Sequence, residues 1–595
     1  MFKKITATVF QIAIGIAIGL FLGILMIFMF PEIHLFKLDH LFYLIIMFFI
    51  SFILHIVIHE GGHFFFAKKA GILCYEFALG MGPVIYQKRK GETQYSIRAI
   101  PLGGYVSMAG EEVEADLLKG IDTVKLELTD NVVTKIITNV KSDKYKDLEE
   151  YKLISYDLIG TKEAKDDELF IEVETINEED PRLTETVKYV VARDAILSLN
   201  DKQEVQIAPY DRTFVNKKIG QRFITVFAGP MMNFVLAWFI FLVMGLIGGY
   251  ADTSSTNLDT IAEGTPAYLA GLQEGDKITK IGTYSGSVEE WADVSAAMAY
   301  YASGEATDFD GSIVVTYNRD GNEYTTTTYP QTVIYSMELV FKTYGKDNHD
   351  LANLPIVGTF NDKETNTKTI AYKSGLRDGD IIKSIKVLGS GEITSIQTRN
   401  DVLKFFSSYS RPDVRGVDIE VTVLRESEEL KFEVETYSKE LLESQGVTTT
   451  KVQLGISPEY KFNFLKLLYQ PFVQTGDAAM LVFDTLKLLV TDKTVNLNDL
   501  SGPIGILSII KSAASQGLLI LLNWTAIISV NVGLMNLLPI PALDGGRLIF
   551  IIYEAITKKK PSPKFENTVH NIGFILLMAL FVYVAFNDVI RLIFK

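Results

Sequence analysis

Cysteine is nearly absent from this 595-residue chain: Cys74 stands alone. That excludes an internal disulfide framework and a Cys-rich metal site, and Cys74 reads as an ordinary small side chain. Positive charge is also short, with 57 Lys and Arg against 72 Asp and Glu and a net charge of −15. A nucleic-acid partner is not expected, because a basic face is its usual footprint. Residues 113–210 hold few aromatics and are acidic and Lys-rich. Long apolar runs, in contrast, are plentiful. Apolar residues make up 48% of the chain and the mean hydropathy is +0.20. The length calls for several domains rather than one core.

A helix needs about 20 apolar residues to cross a bilayer. Five segments qualify, at roughly 7–31, 41–67, 223–248, 517–538 and 568–590. The first follows Lys3 and Lys4 and resembles a signal peptide. Its apolar run is longer than a signal core and no small-x-small cleavage site follows, so a retained span is expected. Lys3 and Lys4, Lys68 and Lys69, Lys217, Lys218 and Arg222, and the "TKKKPSPK" run all fall on one side of a five-span layout. The positive-inside rule makes that side cytoplasmic. It places the N-terminus in the cytoplasm, with 249–516 and the C-terminus outside.

The external region contains a repeat. "PAYLAGLQEGDKITKI" begins at Pro266 and "IAYKSGLRDGDIIKSI" at Ile370, an offset of 104 residues from Gly271 to Gly375. Two copies of one small domain are expected, each with a short helix ending at Gly, a Gly-Asp turn and an Ile-rich strand. The pattern resembles the A-G-L-x-x-G-D-x-I motif of bacterial PDZ domains, which add a peptide strand to a sheet edge. A spacer that binds nothing fits the same pattern. For 113–210, with strand-like "ELFIEVETI" and "VKYVVA", a small α+β domain and a partly disordered loop both remain open.

The chemistry-bearing stretch is "FILHIVIHEGGHFFFAKKAG", residues 52–71. Each ionisable group in a span costs roughly 2.5–3.5 kcal/mol to insert, so three histidines and a glutamate there read as functional. His59, Glu60 and His63 form H-E-x-x-H. On a helix the two imidazoles lie about 40° apart, on one face. They can close on one Zn²⁺, with Glu60 taking a proton from metal-bound water. His55 shares the face, but it lies about 12 Å from His63 along the axis. It is expected to line the site or face another helix. A third ligand is needed. Asp544, in "MNLLPIPALDGGRLIF", falls at the matching membrane depth. Its alternative is a cap for a helix starting at Gly545. Glu554 and Asp588 lie near span ends beside basic residues and are expected to reach water.

These residues resemble the site-2 protease family of intramembrane zinc metalloproteases, of the bacterial regulator-of-sigma type. "HEGGH" and "LDGGR" match its catalytic motifs, "FAGPMMNFVLAW" its G-P-x-x-N span, and "LSGPIGI" the segment before its third core span. "AGILCYEFALGMGPVIY", "YSIRAIPLGGYVSMAGE" and "EVQIAPYDRTF" resemble Gram-positive flanking segments. The resemblance implies Zn²⁺ on His59, His63 and Asp544, Glu60 as general base, and Asn531, Asn536 and Asn233 at the substrate. It implies a polytopic α-helical membrane protein with two extracytoplasmic PDZ-like α/β domains and a membrane-associated β-hairpin. The layout is then an extra span (1–40), a first core span with HEGGH (41–71), the hairpin (72–112), a cytoplasmic insert (113–215) and a second core span (216–248). PDZ-like domains follow at 249–348 and 349–458, then amphipathic linker helices (459–516), a third core span (517–557) and a last one (558–595). The extra first span departs from the family pattern. Implied substrates are single-pass membrane proteins, such as anti-sigma factors or signal-peptide remnants, cut within the bilayer.

A catalytically silent PDZ scaffold is the main alternative, opposed by the presence of all four site residues together. A CAAX-type zincin needs a downstream Glu ligand that is missing. A metal transporter leaves the Glu60 spacing without purpose.

Overall fold

The structure is a computed structural model. It describes residues 40–593 except 112–117, 161–168, 177–183, 201–203, 308, 345, 359–360, 363–366, 412–415, 445–446, 492–501, 503–504, 507–508, 511–512 and 515–516. The expected span at 7–31 lies outside the described residues.

Helix α1, His40–Lys69, carries the H-E-x-x-H run. It stops where Gly71 takes φ +73, with Gly71 N–H bonded to Lys68 O and Ile72 N–H to Ala67 O. That pairing is the glycine-dependent stop that spares the last carbonyls. Strands β1 (Cys74–Lys90) and β2 (Thr93–Met108) follow. The expected strand–turn–strand is present, but more tightly folded. Phe77 pairs with Val106 on one side and Tyr95 on the other, while Lys90 pairs with Thr93 at the tip. Cys74 is buried as an ordinary side chain.

The described residues of 118–207 form a β-sheet rather than the α+β domain that the sequence left open. Strands β3 (Thr123–Thr129), β4 (Val132–Ile137), β5 (Glu150–Asp157), β6 (Leu169–Ile176), β7 (Thr184–Ser198) and β8 (Glu204–Gln206) make one sheet in the order β4-β3-β5-β6-β7-β8. A parallel pairing of β4 with β7 closes it, from Val132–Val190 to Ile137–Ser198. Val124, Leu126, Val133, Ile136, Ile171, Val173 and Leu197 fill the interior. Alternate residues of each strand supply that core, which is why the strands look merely polar in sequence.

Helix α2 runs Ile219–Gly248. After it, Tyr250–Ala251 pairs with Tyr460–Lys461, so the chain between them is an excursion that returns to its start. The first copy of the repeat has a helical turn Pro266–Leu269, β9 (Lys277–Ile281), α3 (Trp291–Ala302) and the hairpin β10 (Ile313–Arg319)–β11 (Asn322–Thr328). Strands β12 (Gln331–Ile334), β13 (Leu339–Phe341) and β14 (Val357–Gly358) come next. The second copy repeats the order: a turn Ile370–Lys373, β15 (Ile381–Val387), a short β16 (Ile393–Ser395), α4 (Arg399–Ser408) and the hairpin β17 (Ile419–Arg425)–β18 (Glu428–Val434). Both α3 and α4 open with a capping box, Glu290 with Asp293 and Thr398 with Asp401. The motif aspartates do one job twice. Asp276 accepts Arg319 Nε at 2.7 Å, Arg319 Nη2 at 2.8 Å and the Gln273 N–H at 2.8 Å. Asp380 accepts Arg425 Nε at 2.6 Å, Nη2 at 2.7 Å and the Arg377 N–H at 2.8 Å. Strand β19, Thr450–Gln453, then pairs with β12.

Helix α5, Phe464–Thr491, buries Leu467, Ala478 and Val482 and exposes Phe464, Leu465, Leu468, Phe472 and Phe483. Helices α6 (Leu518–Leu537), α7 (Asp544–Thr557) and α8 (Pro563–Ile593) close the chain. Among the described residues, α2, α6 and Lys564–Ile590 of α8 are long and apolar enough to cross a membrane. The described residues fall into two compact units, one within 40–237 and 528–580 and the other within 238–527 and 581–593.

Candidate metal centre

One helical turn separates His59 from His63, and α1 turns both toward the start of α7. His59 Nε2 lies 3.1 Å from Asp544 Oδ2, His63 Nε2 lies 3.3 Å from the same oxygen, and the two Nε2 atoms are 3.3 Å apart. Among the described residues, these three are the group of His, Cys, Asp or Glu that could hold a metal ion. The structure therefore brings together the three residues that the sequence singled out.

The protonation logic explains why they converge. His63 Nδ1 is 2.8 Å from the Thr225 carbonyl, which can only accept, so Nδ1 carries a proton and the neutral ring leaves Nε2 bare. Asn233, wholly buried, places its amide nitrogen 3.3 Å from His59 Nδ1 while its Oδ1 is buried with no partner. Turning that amide over lets Oδ1 accept from a His59 Nδ1–H and leaves the second Nε2 bare as well. Asp544 Oδ2 is buried without a hydrogen-bond donor. Three lone pairs thus point at one another, an arrangement that repels itself unless a cation sits among them. A tetrahedral ion with bonds of about 2.0–2.1 Å spaces its ligands about 3.3 Å apart, so the donor set fits zinc.

Glycine makes the approach possible. A Cβ on Gly229 would lie 2.2 Å from His63 Nε2, and one on Gly62 would lie 2.5 Å from the Ala228 carbonyl. The G-P-x-x-N and H-E-G-G-H motifs therefore meet backbone to backbone. Glu60 is in electrostatic contact with both histidines and Asp544. A Cβ on Gly104 would reach its Cγ at 3.0 Å, so β2 lies directly against this carboxylate.

Asp544 is the first residue of α7, whose cap is Leu543, so it does not cap the helix. His55 is buried outside the metal-capable group. Glu554 and Asp588 do not reach water as expected. Glu554 pairs with Arg222 at 2.7 Å, both buried, and Asp588 accepts the Gly505 N–H at 3.0 Å. Each satisfies a group that the surrounding apolar chain leaves unpaired. Asn531 is exposed and Asn536 half-buried on α6. Sequence reasoning missed Thr225, whose carbonyl leaves no trace in residue type. It also missed Arg547, which pairs with Glu111 and ties the LDGGR segment to the end of the hairpin.

Outside the membrane-crossing helices, Glu92 at the hairpin turn faces Lys68 at 2.5 Å and Arg212 at 2.8 Å. Burial pushes its carboxyl up, but the two cations outweigh burial and hold it below the ordinary glutamate value.

The family model for Peptidase family M50 matches residues 47–580. The chain belongs to this family of site-2 proteases. It is 30% identical over 549 residues to the zinc metalloprotease RasP of Oceanobacillus iheyensis, covering 92% of this chain and 99% of the relative. It is 30% identical over 538 residues to the protein of the same name from Shouchella clausii, covering 90% and 96%. It is 30% identical over 546 residues to that of Geobacillus kaustophilus, covering 92% and 97%.

Proposed function

We propose that this chain, a zinc metalloprotease of family M50, cleaves peptide bonds inside the membrane-spanning segments of single-pass proteins such as anti-sigma factors or signal-peptide remnants. The observation that carries the reading is the convergence of His59 Nε2, His63 Nε2 and the orphan carboxylate oxygen Asp544 Oδ2 beside Glu60. His59, His63 and Asp544 hold the zinc. When bound, zinc acidifies a water toward a pKa of about 7 and polarises the scissile carbonyl. Glu60 accepts the water proton and returns it to the leaving amine. The Thr225 carbonyl and Asn233 fix the imidazoles, so Asn233 supports the metal rather than contacting substrate directly. Asn531 and Asn536 bind the unwound substrate backbone. A substrate helix shields its own peptide bonds, so it must be opened and held extended. The sheet lying on Glu60 at Gly104 supports strand addition there.

The protein is multi-pass in the cell membrane, with a cytoplasmic N-terminus and an extracytoplasmic repeat region. The repeats are PDZ domains that admit only substrates already trimmed outside. Their shared element order and paired Asp–Arg contacts support the PDZ reading. A groove of about 610 Å³ between α3 and β19, lined by Trp291, Val294, Met298 and Val452, supports peptide docking. Such a groove alone would also suit a silent scaffold, but a scaffold has no use for the assembled site.

The test is cleavage of a single-span reporter in detergent by the purified protein, with the cut mapped by mass spectrometry. A cut within the apolar segment is expected. Cleavage only of soluble, unfolded chains would overturn the intramembrane reading.

A further inference from the structure

Residues 538–543 join α6 to Asp544, and the turn they form is held from outside. Pro539 and Pro541 have no N–H. Leu538 N–H bonds to Met535 O, Ile540 N–H to Leu538 O, and Leu543 N–H to Ile540 O. The remaining donor, Ala542 N–H, reaches His570 Nδ1 on α8 at 2.9 Å. Ala542 sits at φ +76, a left-handed conformation that residues with a Cβ seldom adopt and that its surroundings must impose. One turn along α8, a Cβ on Gly573 would lie 2.5 Å from Pro541 Cβ. Helix α8 therefore rests on this turn at two points.

The choice of histidine is informative. With Nδ1 accepting, the neutral ring carries its proton on Nε2, and that atom is buried with no partner. The ring leans on Phe550, centroids 5.6 Å apart. A phenylalanine would pack there without an unsatisfied N–H. What phenylalanine lacks is the acceptor for Ala542.

We propose that His570 is a positioning residue: it holds Ala542 in the left-handed turn and so presents Asp544, two residues later, as a metal ligand. The proposal rests on Asp544 being a zinc ligand. Its test is zinc retention by the full chain in detergent, against a graded chelator series. Loss of a group that orients a ligand typically weakens metal binding about 10–100-fold, and His570→Phe is expected to do so. His570→Asn, whose Oδ1 can accept the same N–H, is expected to stay within about 3-fold of wild type by the same scale. Adding Ala542→Gly to His570→Phe should recover most of the loss, because glycine takes a left-handed φ without help. A packing role would not respond to that second change.

Wild-type retention by His570→Phe would overturn the proposal. So would equal weakening by the Phe and Asn variants with no recovery from glycine. If His570→Phe does not elute as one species, Gly573→Ala decides: it pushes α8 off the same turn and should weaken retention, and wild-type retention would overturn the proposal. Asp544→Asn separates the two readings. If it holds zinc as wild type does, the ligand assignment has failed; if it loses zinc while His570→Phe keeps it, only the positioning role has.

Discussion

Asp276 and Asp544 are carboxylates enclosed by protein, and they have opposite surroundings. Asp276 has every need met: Nε and Nη2 of Arg319 and a backbone N–H point at it. Asp380 has the same partners in the second copy of the repeat. Asp544 Oδ2 faces the Nε2 atoms of His59 and His63 and has no hydrogen-bond donor. A satisfied buried carboxylate fixes a fold. An unsatisfied one, in a shell that commits every other donor elsewhere, has been kept open for something the chain does not supply. What separates them is the count of donors.

Breaking the open site should have the largest effect. Asp544→Ala is expected to remove bound zinc and abolish reporter cleavage, read by metal analysis and gel assay. Gly229→Ala should come next. Alanine normally favours a helix over glycine by about 1 kcal/mol, yet here its Cβ displaces His63. Zinc retention should fall at least about 10-fold, and unchanged retention would mean that His63 can move without cost. Breaking the closed site gives the opposite pattern. Arg319→Leu strands Asp276 and should destabilise the first repeat by about 3 kcal/mol, the low end for a broken buried pair because Arg319 is partly exposed. Faster hydrogen exchange across 256–328 with zinc content unchanged is the expected result.

Glu92 sharpens the comparison from a third, half-exposed position. Lys68 and Arg212 hold its folded pKa below the unfolded value. Its contribution is present above the unfolded pKa and is lost as pH falls through the folded one. Below about pH 4.5 the hairpin should therefore loosen, seen as faster proteolysis at 74–108. Glu92→Gln should loosen it already at pH 7 and flatten that pH dependence, by the smallest margin of the set.

Much of the site was legible because membrane insertion penalises it. Ionisable residues in an apolar run stand out, and their spacing on a helix is a local property. Asp544 was legible by depth along the chain. The repeat was legible from Gly-Asp, but the arginines that complete it were not, because Arg319 and Arg425 reach back from a later hairpin. The sheet at 118–207 stayed hidden for a related reason. Its closure depends on β4 meeting β7 in parallel, a pairing that no window of sequence contains. Glu554 and Asp588 were misread as solvent-seeking because their neighbours in sequence are basic, while their partners in space are Arg222 and the Gly505 amide.

The most direct test of the zinc site and its base measures zinc content and reporter cleavage together in purified wild type, Glu60→Gln and Asp544→Ala. One zinc per chain in wild type and Glu60→Gln, none in Asp544→Ala, and cleavage by wild type alone are expected, with Glu60→Gln slowed by about 10²–10⁴. Full zinc in Asp544→Ala, or wild-type cleavage by Glu60→Gln, would contradict the assignment of ligand or base.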